Sequence, residues 1–158
     1  MLRKPILKLL GISLFLLSAC SQETNNPEEQ IHNLVSAMET AVKQRSLESV
    51  KELVDNEYSD EWNGSRRAAL RALMLYFQGH QSIYLLTRIS SIKLNDEATA
   101  ASVVVYVGMA GDPVEKSESL IDLNADLYRF DIKLVLDGND WLVKSAKWQR
   151  ARLENFGL

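Results

Sequence analysis

The apolar positions change their period once along the chain, and the change separates two kinds of element. Ile31, Leu34, Val35, Met38 and Val42 stand at i, i+3, i+4, i+7 and i+11, the stripe of one helix face. Asn26 can cap that helix, Pro27 suits its first turn, and Glu28 and Glu29 complement its positive end. A second, shorter helix is predicted after Ser46, with Leu47, Val50, Leu53 and Val54 inward. The stretch "NEYSDEWNGS" interrupts the pattern. A third helix follows Gly64-Ser65, with Leu70, Leu73, Met74 and Phe77 as its stripe and Gly79 as its stop. From Ser82 the period is two. "SIYLLTRISSIKL" changes face near Thr87–Ser91, which predicts a bulge or strong bend. "NDE" turns it into the strand "ATAASVVVYVGMA", and "GDPVEKSES" is a loop. In "ADLYRFDIKLVL", Tyr128, Phe130, Ile132, Leu134 and Leu136 share one face, and Arg129, Asp131 and Lys133 the other. "DGND" is a turn whose Asp137-Gly138 step tolerates positive φ. "WLVKSAKWQRA" is the last strand, and residues 153–158 read as a loose tail. Helices followed by a four-strand antiparallel meander make an α+β fold.

Ahead of this domain the pattern is different in kind. Arg3, Lys4 and Lys8 form a basic start, and Leu9 to Leu17 is uncharged and apolar. Nine residues rising about 1.5 Å each fall well short of a bilayer core of about 30 Å. The segment therefore reads as a secretory signal and not a transmembrane helix. It ends in Leu17-Ser18-Ala19-Cys20, which holds the chain's only cysteine.

That tetrapeptide resembles the bacterial lipobox: apolar, small, small, Cys. The resemblance implies diacylglyceryl transfer to the Cys20 thiol and cleavage before Cys20, with acylation of the new amine in many Gram-negative species. The acyl chains would anchor the protein to a lipid membrane, since two or more chains hold firmly where one holds marginally. Ser21 in place of Asp favours the outer membrane, with the domain facing the periplasm. The expected organisation is then residues 1–19 as signal peptide, 20–26 as lipidated cysteine and tether, 27–152 as folded domain, and 153–158 as tail. Six polar residues reach roughly 20 Å at most, which keeps the domain near the membrane surface.

Composition limits what the domain can be. Lys and Arg number 18 against 21 Asp and Glu. Without the three cations of the signal the balance is 15 against 21, which argues against nucleic acid and against general adhesion to anionic lipid. With Cys20 acylated there is no disulfide, no thiol nucleophile and no cysteine ligand. Two distant histidines do not make a metal site, no G-x-S-x-G elbow or phosphate loop is present, and no cofactor is expected.

The order of elements, the length and the closing stretch "DGNDWLVKSAKW" resemble the NTF2-like (SnoaL-like, cystatin-like) superfamily over about residues 27–152. "YFQGHQSIYLLTRI" and "ADLYRFDIKL" further resemble bacterial NTF2-like lipoproteins of unassigned function. The resemblance implies a cone in which a curved four-stranded sheet wraps a long helix around a pocket, sometimes dimerising through the sheet. It also implies two possible trades. One is a non-catalytic binding or accessory module for a small apolar ligand or an envelope protein partner. The other is a pocket enzyme of isomerase or lyase type, using an Asp or His base with Tyr assistance.

For the second trade the candidates are His80, at the end of the third helix, with Asp126 and Tyr128. His80 also suits the helix C-terminus structurally, and His32 reads as a solvated rim residue. Tyr58, Trp62, Tyr76, Phe77, Tyr84, Tyr128, Phe130, Trp141 and Trp148 could line a cavity, though at these spacings most read as core. Arg67 and Arg71 share one face of the third helix; pairing with Asp60, Glu61 or neighbours is favoured there over recognition of lipid phosphate. The expected discriminator between the trades is an open cavity holding His80 or Asp126 within reach of a tyrosine.

Overall fold

A computed structural model describes residues 26–111 and 125–157. Cys20, the lipobox, the tether before Asn26 and most of the "GDPVEKSES" loop lie outside the described residues.

α1 (Pro27–Lys43) begins where the sequence places it. The Asn26 side-chain oxygen accepts the Glu28 backbone N–H at 3.0 Å, and proline follows in the first turn. Ile31 and Leu34 are buried, whereas Val35, Met38 and Val42 are half-buried. Arg45, at φ 54°, turns the chain sharply into α2 (Leu47–Glu52), which Ser46 caps. The Arg45 guanidinium then reaches the Phe77 and His80 carbonyls at 3.4 and 3.3 Å, closing the end of α3 (Arg66–Gly79).

The sheet is a pure meander in the order β1 (Tyr84–Leu94), β2 (Ala100–Ala110), β3 (Asp126–Asp137), β4 (Asp140–Arg150), antiparallel throughout. Two bulges set its curvature. In β1 the pairing jumps from Ile89 to Ser91, so Leu85, Thr87 and Ile89 face inward and, past the jump, Ile92 and Leu94 face inward again. This is the face change visible in the sequence. A second bulge falls at Lys144, between the pairs Lys133–Ser145 and Leu134–Val143, and carries Trp141, Val143, Ala146 and Trp148 onto one face. Each bulge adds local twist and bends its strand around the helices. Gly138, at φ 62°, makes the β3–β4 turn as the Asp-Gly step requires.

The segment after α2 docks on β4. Asp55 N–H donates to the Val143 carbonyl and Val143 N–H to the Leu53 carbonyl, at 3.0 and 2.9 Å. The bulged Lys144 ammonium meets Asp55 at 2.8 Å and Glu57 at 2.6 Å. The hydrogen bond from Lys144 holds the Asp55 carboxyl below its usual range, outweighing partial burial.

The main core joins Ile31 and Leu34 of α1 to Val103, Val105, Leu134, Trp141 and Val143 of the sheet. The tail departs from expectation. Leu153–Phe156 is a 3-10 turn, and Phe156 is buried against Leu127 with Tyr106 edge-on at 6.0 Å. Arg88 donates to the Asn155 carbonyl at 3.1 Å, so the chain is tied down well past Arg152. A single aromatic six residues beyond the last strand is enough apolar surface to dock that tail.

Candidate binding cavity

The half-buried stripe of α1 is explained by what it faces. Val35, Met38 and Val42 border the packed core and also look into a cavity of about 490 Å³ between helices and sheet. α3 supplies a second wall through Ala69, Leu70, Leu73 and Tyr76. The sheet supplies the floor through Leu85, Val103, Val105, Val107, Met109, Tyr128, Phe130, Ile132, Val143, Ala146 and Trp148. The cone is hollow and its lining is overwhelmingly apolar. The rings of Tyr128, Phe130 and Trp148 follow one another across β3 and β4 with centroids 6.3 and 6.0 Å apart, and Trp62 continues the row at 6.2 Å.

The polar groups on the wall are mostly engaged with one another. The Thr87 hydroxyl donates to the Glu39 carboxylate, which also takes Lys43 at 3.3 Å. Tyr58 donates to Asp60 at 2.9 Å. Burial pushes the Tyr58 phenol well up, and the Asp60 contact adds to it. Burial also pushes Asp60 up, but donors from Asn63, Tyr58 and Trp62 outweigh it and hold the carboxyl below its usual range. Arg66 donates to the Lys51 carbonyl at 2.6 Å. Tyr76 and Tyr128 differ from these. Neither hydroxyl makes a hydrogen bond among the described residues, and both residues line the cavity. Burial raises the Tyr76 phenol, and the charge of Asp126 and then the neighbouring Tyr128 raise it further.

The three expected site residues are not assembled in the cavity. His80 is exposed and off its lining. Its ring stacks on Tyr76 at 4.0 Å, and its Nδ1 lies 2.9 Å from the Tyr76 carbonyl oxygen. A carbonyl only accepts, so Nδ1 carries the proton and His80 acts as a C-terminal clasp on α3. Asp126 is exposed and paired with Arg150. Only Tyr128 lines the cavity, with the Arg150 guanidinium 4.9 Å above its ring. The aromatics divide likewise: Trp141 and Phe77 are core, Tyr76, Phe130 and Trp148 line the cavity, and Trp62 is exposed. The Glu39–Thr87 pair escapes sequence reasoning. Tyr76 is among the aromatics that could line a cavity but cannot be told there from core, and Glu39 meets Thr87 only across 48 residues.

Such a site can strip water from an apolar molecule. Each methylene moved into it gains about 0.8 kcal/mol, and two phenol hydroxyls are free to meet one polar end. Among the described residues no group of three His, Cys, Asp or Glu could hold a metal ion. No helix among them is long and apolar enough to cross a membrane.

Neither a family sequence model nor a curated protein sequence matches this chain. Solved structures do match in fold. A provisionally named scytalone dehydratase from Novosphingobium aromaticivorans superposes with a TM-score of 0.63 at 13% identity, over 79% of this chain and 84% of its own. An NTF-2 like protein of unknown function from Silicibacter pomeroyi gives 0.58 at 13% identity, over 78% and 95%. A cystatin-like domain of unknown function from Nostoc punctiforme gives 0.62 at 13% identity, over 84% and 82%. The fold is the NTF2-like cone. At these identities the likeness speaks for architecture alone.

Proposed function

We propose that this NTF2-like cone is a non-catalytic binding module that takes a small, largely apolar ligand into its cavity. The observation that carries the reading is the hollow, apolar space of about 490 Å³ with His80 and Asp126 outside its lining. General-base catalysis needs a base within hydrogen-bond reach of the substrate. The carboxylate on the lining, Glu39, is held by Thr87 and Lys43. The free hydroxyls of Tyr76 and Tyr128 would orient a ligand's polar end.

A second reading, a pocket enzyme of isomerase or lyase type, draws on the same two tyrosines and on the nearby charge of Asp126. The two part on substitution. Ala146→Phe puts an aromatic ring into the cavity from a strand position, where aromatics are well tolerated. It should abolish binding of an apolar fluorescent probe while leaving the melting temperature near that of the wild type. Probe binding that survives the substitution would place the ligand elsewhere. Asp126→Asn should leave binding and cellular function unchanged; a folded, abundant but inactive Asp126→Asn protein would favour the enzyme.

The lipobox resemblance completes the proposal. The module would be anchored by acylated Cys20, on the outer membrane and facing the periplasm. Cells fed a radioactive fatty acid should label the wild-type protein, and Cys20→Ser should lose both label and membrane retention. A wild-type protein that takes up no label would remove the anchor from the reading.

A further inference from the structure

α3 is a wall with two faces. One carries Ala69, Leu70, Leu73 and Tyr76 into the cavity. The other, within an arc of about 100° at 3.6 residues per turn, carries Arg67, Arg71, Met74, Leu75 and Gln78 to solvent. Met74, expected in the inward stripe, is instead 37% exposed, and Leu75 is 58% exposed.

The expected pairing of Arg67 and Arg71 with Asp60 or Glu61 does not occur: Glu61 is taken by Lys147, and Asp60 by Tyr58, Asn63 and Trp62. Among the described residues neither Arg67 nor Arg71 forms an ion pair. Arg67 also sits at the wrong end of the helix. α1 and α2 carry acids in the first turn and lysine in the last, as the helix dipole favours. α3 opens on Arg66 and Arg67 with no acid in its first turn, so two cations crowd its positive end. In a chain with more acids than bases, α3 holds three arginines and no acid. A local arrangement that works against the helix, beside exposed Met and Leu, fits a use outside the fold.

We propose that the outer face of α3 docks on an anionic phospholipid surface. Met74 and Leu75 enter the headgroup boundary, and Arg67 and Arg71 lay their stems along them and reach the phosphates. Charge complementarity selects this occupant: guanidinium groups that form no ion pair among the described residues, on an otherwise acidic protein, meet a surface rich in phosphate. The contact does not depend on Cys20 and goes beyond the binding reading, but it gives the cavity a source. The helix that touches the bilayer is the cavity's own wall.

The full chain carrying Leu75→Trp tests this with vesicles of equal parts phosphatidylglycerol and phosphatidylcholine bearing brominated acyl chains. The fluorescence added by residue 75, relative to the parent, should be quenched in these vesicles and spared in pure phosphatidylcholine. Two arginines, each multiplying partition by about five, shift the docking equilibrium roughly 25-fold. Arg67→Gln with Arg71→Gln should therefore remove the quenching. Met74→Trp provides a second reporter should Leu75→Trp misfold. Three results would overturn the proposal: no quenching in anionic vesicles, equal quenching in neutral ones, or indifference to the arginine pair. A residue-75 signal that depends on protein concentration without lipid would assign the face to self-association instead. Probe binding in the cavity, measured without vesicles, tests the other reading separately.

Discussion

Trp141→Ala should lower the stability of the domain by about 3–5 kcal/mol, read as a shift in the urea midpoint at unchanged slope. Trp141 is 4% exposed and packs among Ile31, Leu34, Val103 and Leu134, where α1 meets β4. Its indole N–H also donates to Gln30 at 3.1 Å. Alanine leaves a void in closed core and an amide without its partner. Against the roughly 5–15 kcal/mol that holds a domain folded, the loss is severe. Trp141→Phe divides it: most of the ring volume stays, and the missing hydrogen bond costs about 1 kcal/mol. Phe130→Ala should cost less than Trp141→Ala, because its ring borders space that is already open. An unchanged midpoint in Trp141→Ala would mean that β4 is not clamped to α1 as described.

Phe156→Ala should have the next largest effect, about 3 kcal/mol, near the low end for a buried aromatic because a chain end can relax. Phe156 is 5% exposed and closes a small cluster with Leu127 at the start of β3, beyond the main core. Ending the chain at Arg152 removes the same ring together with the Arg88–Asn155 contact. Either change should reduce the melting temperature by roughly 10 °C. A shortened protein that melts with the wild type would show the tail to be dispensable.

The three helices, their caps and the meander were legible because each rests on a local signal. Asn26-Pro27, Ser46 and Ser65 mark starts, and alternation in "YRFDIKL" marks a strand. The β1 bulge showed itself as a broken alternation. The β4 bulge carries the same signal in "WLVKSAKW", where Trp141 and Val143 are followed by Ala146 and Trp148, but a short, mixed stretch hides the missing step. What could not be read is whether the stripe of α1 closes wholly onto the sheet or leaves a cavity there. Val35, Met38 and Val42 look the same in sequence either way, and only the curvature imposed by both bulges decides it. The tail was misread because one phenylalanine makes no periodicity. The charge of α3 was legible; that Arg67 and Arg71 form no ion pair among the described residues was not, since Glu61 could as well have met Arg67 as Lys147.

The Gln30–Trp141 hydrogen bond has a consequence for timing. It joins residues 111 positions apart, whereas each strand of the meander pairs with its neighbour in sequence. Neighbouring strands associate across connections shorter than that separation, whereas the Gln30–Trp141 contact needs the first helix and the last strand together and closes the longest loop. If this contact forms after the rate-limiting barrier, it acts on unfolding alone. Weakening it then hastens unfolding and leaves the folding rate almost untouched. In Trp141→Ala the lost stability should thus appear chiefly in the unfolding arm of the chevron. The lifetime of the closed cone, and of anything held inside it against global opening, is set where the first helix latches onto the last strand.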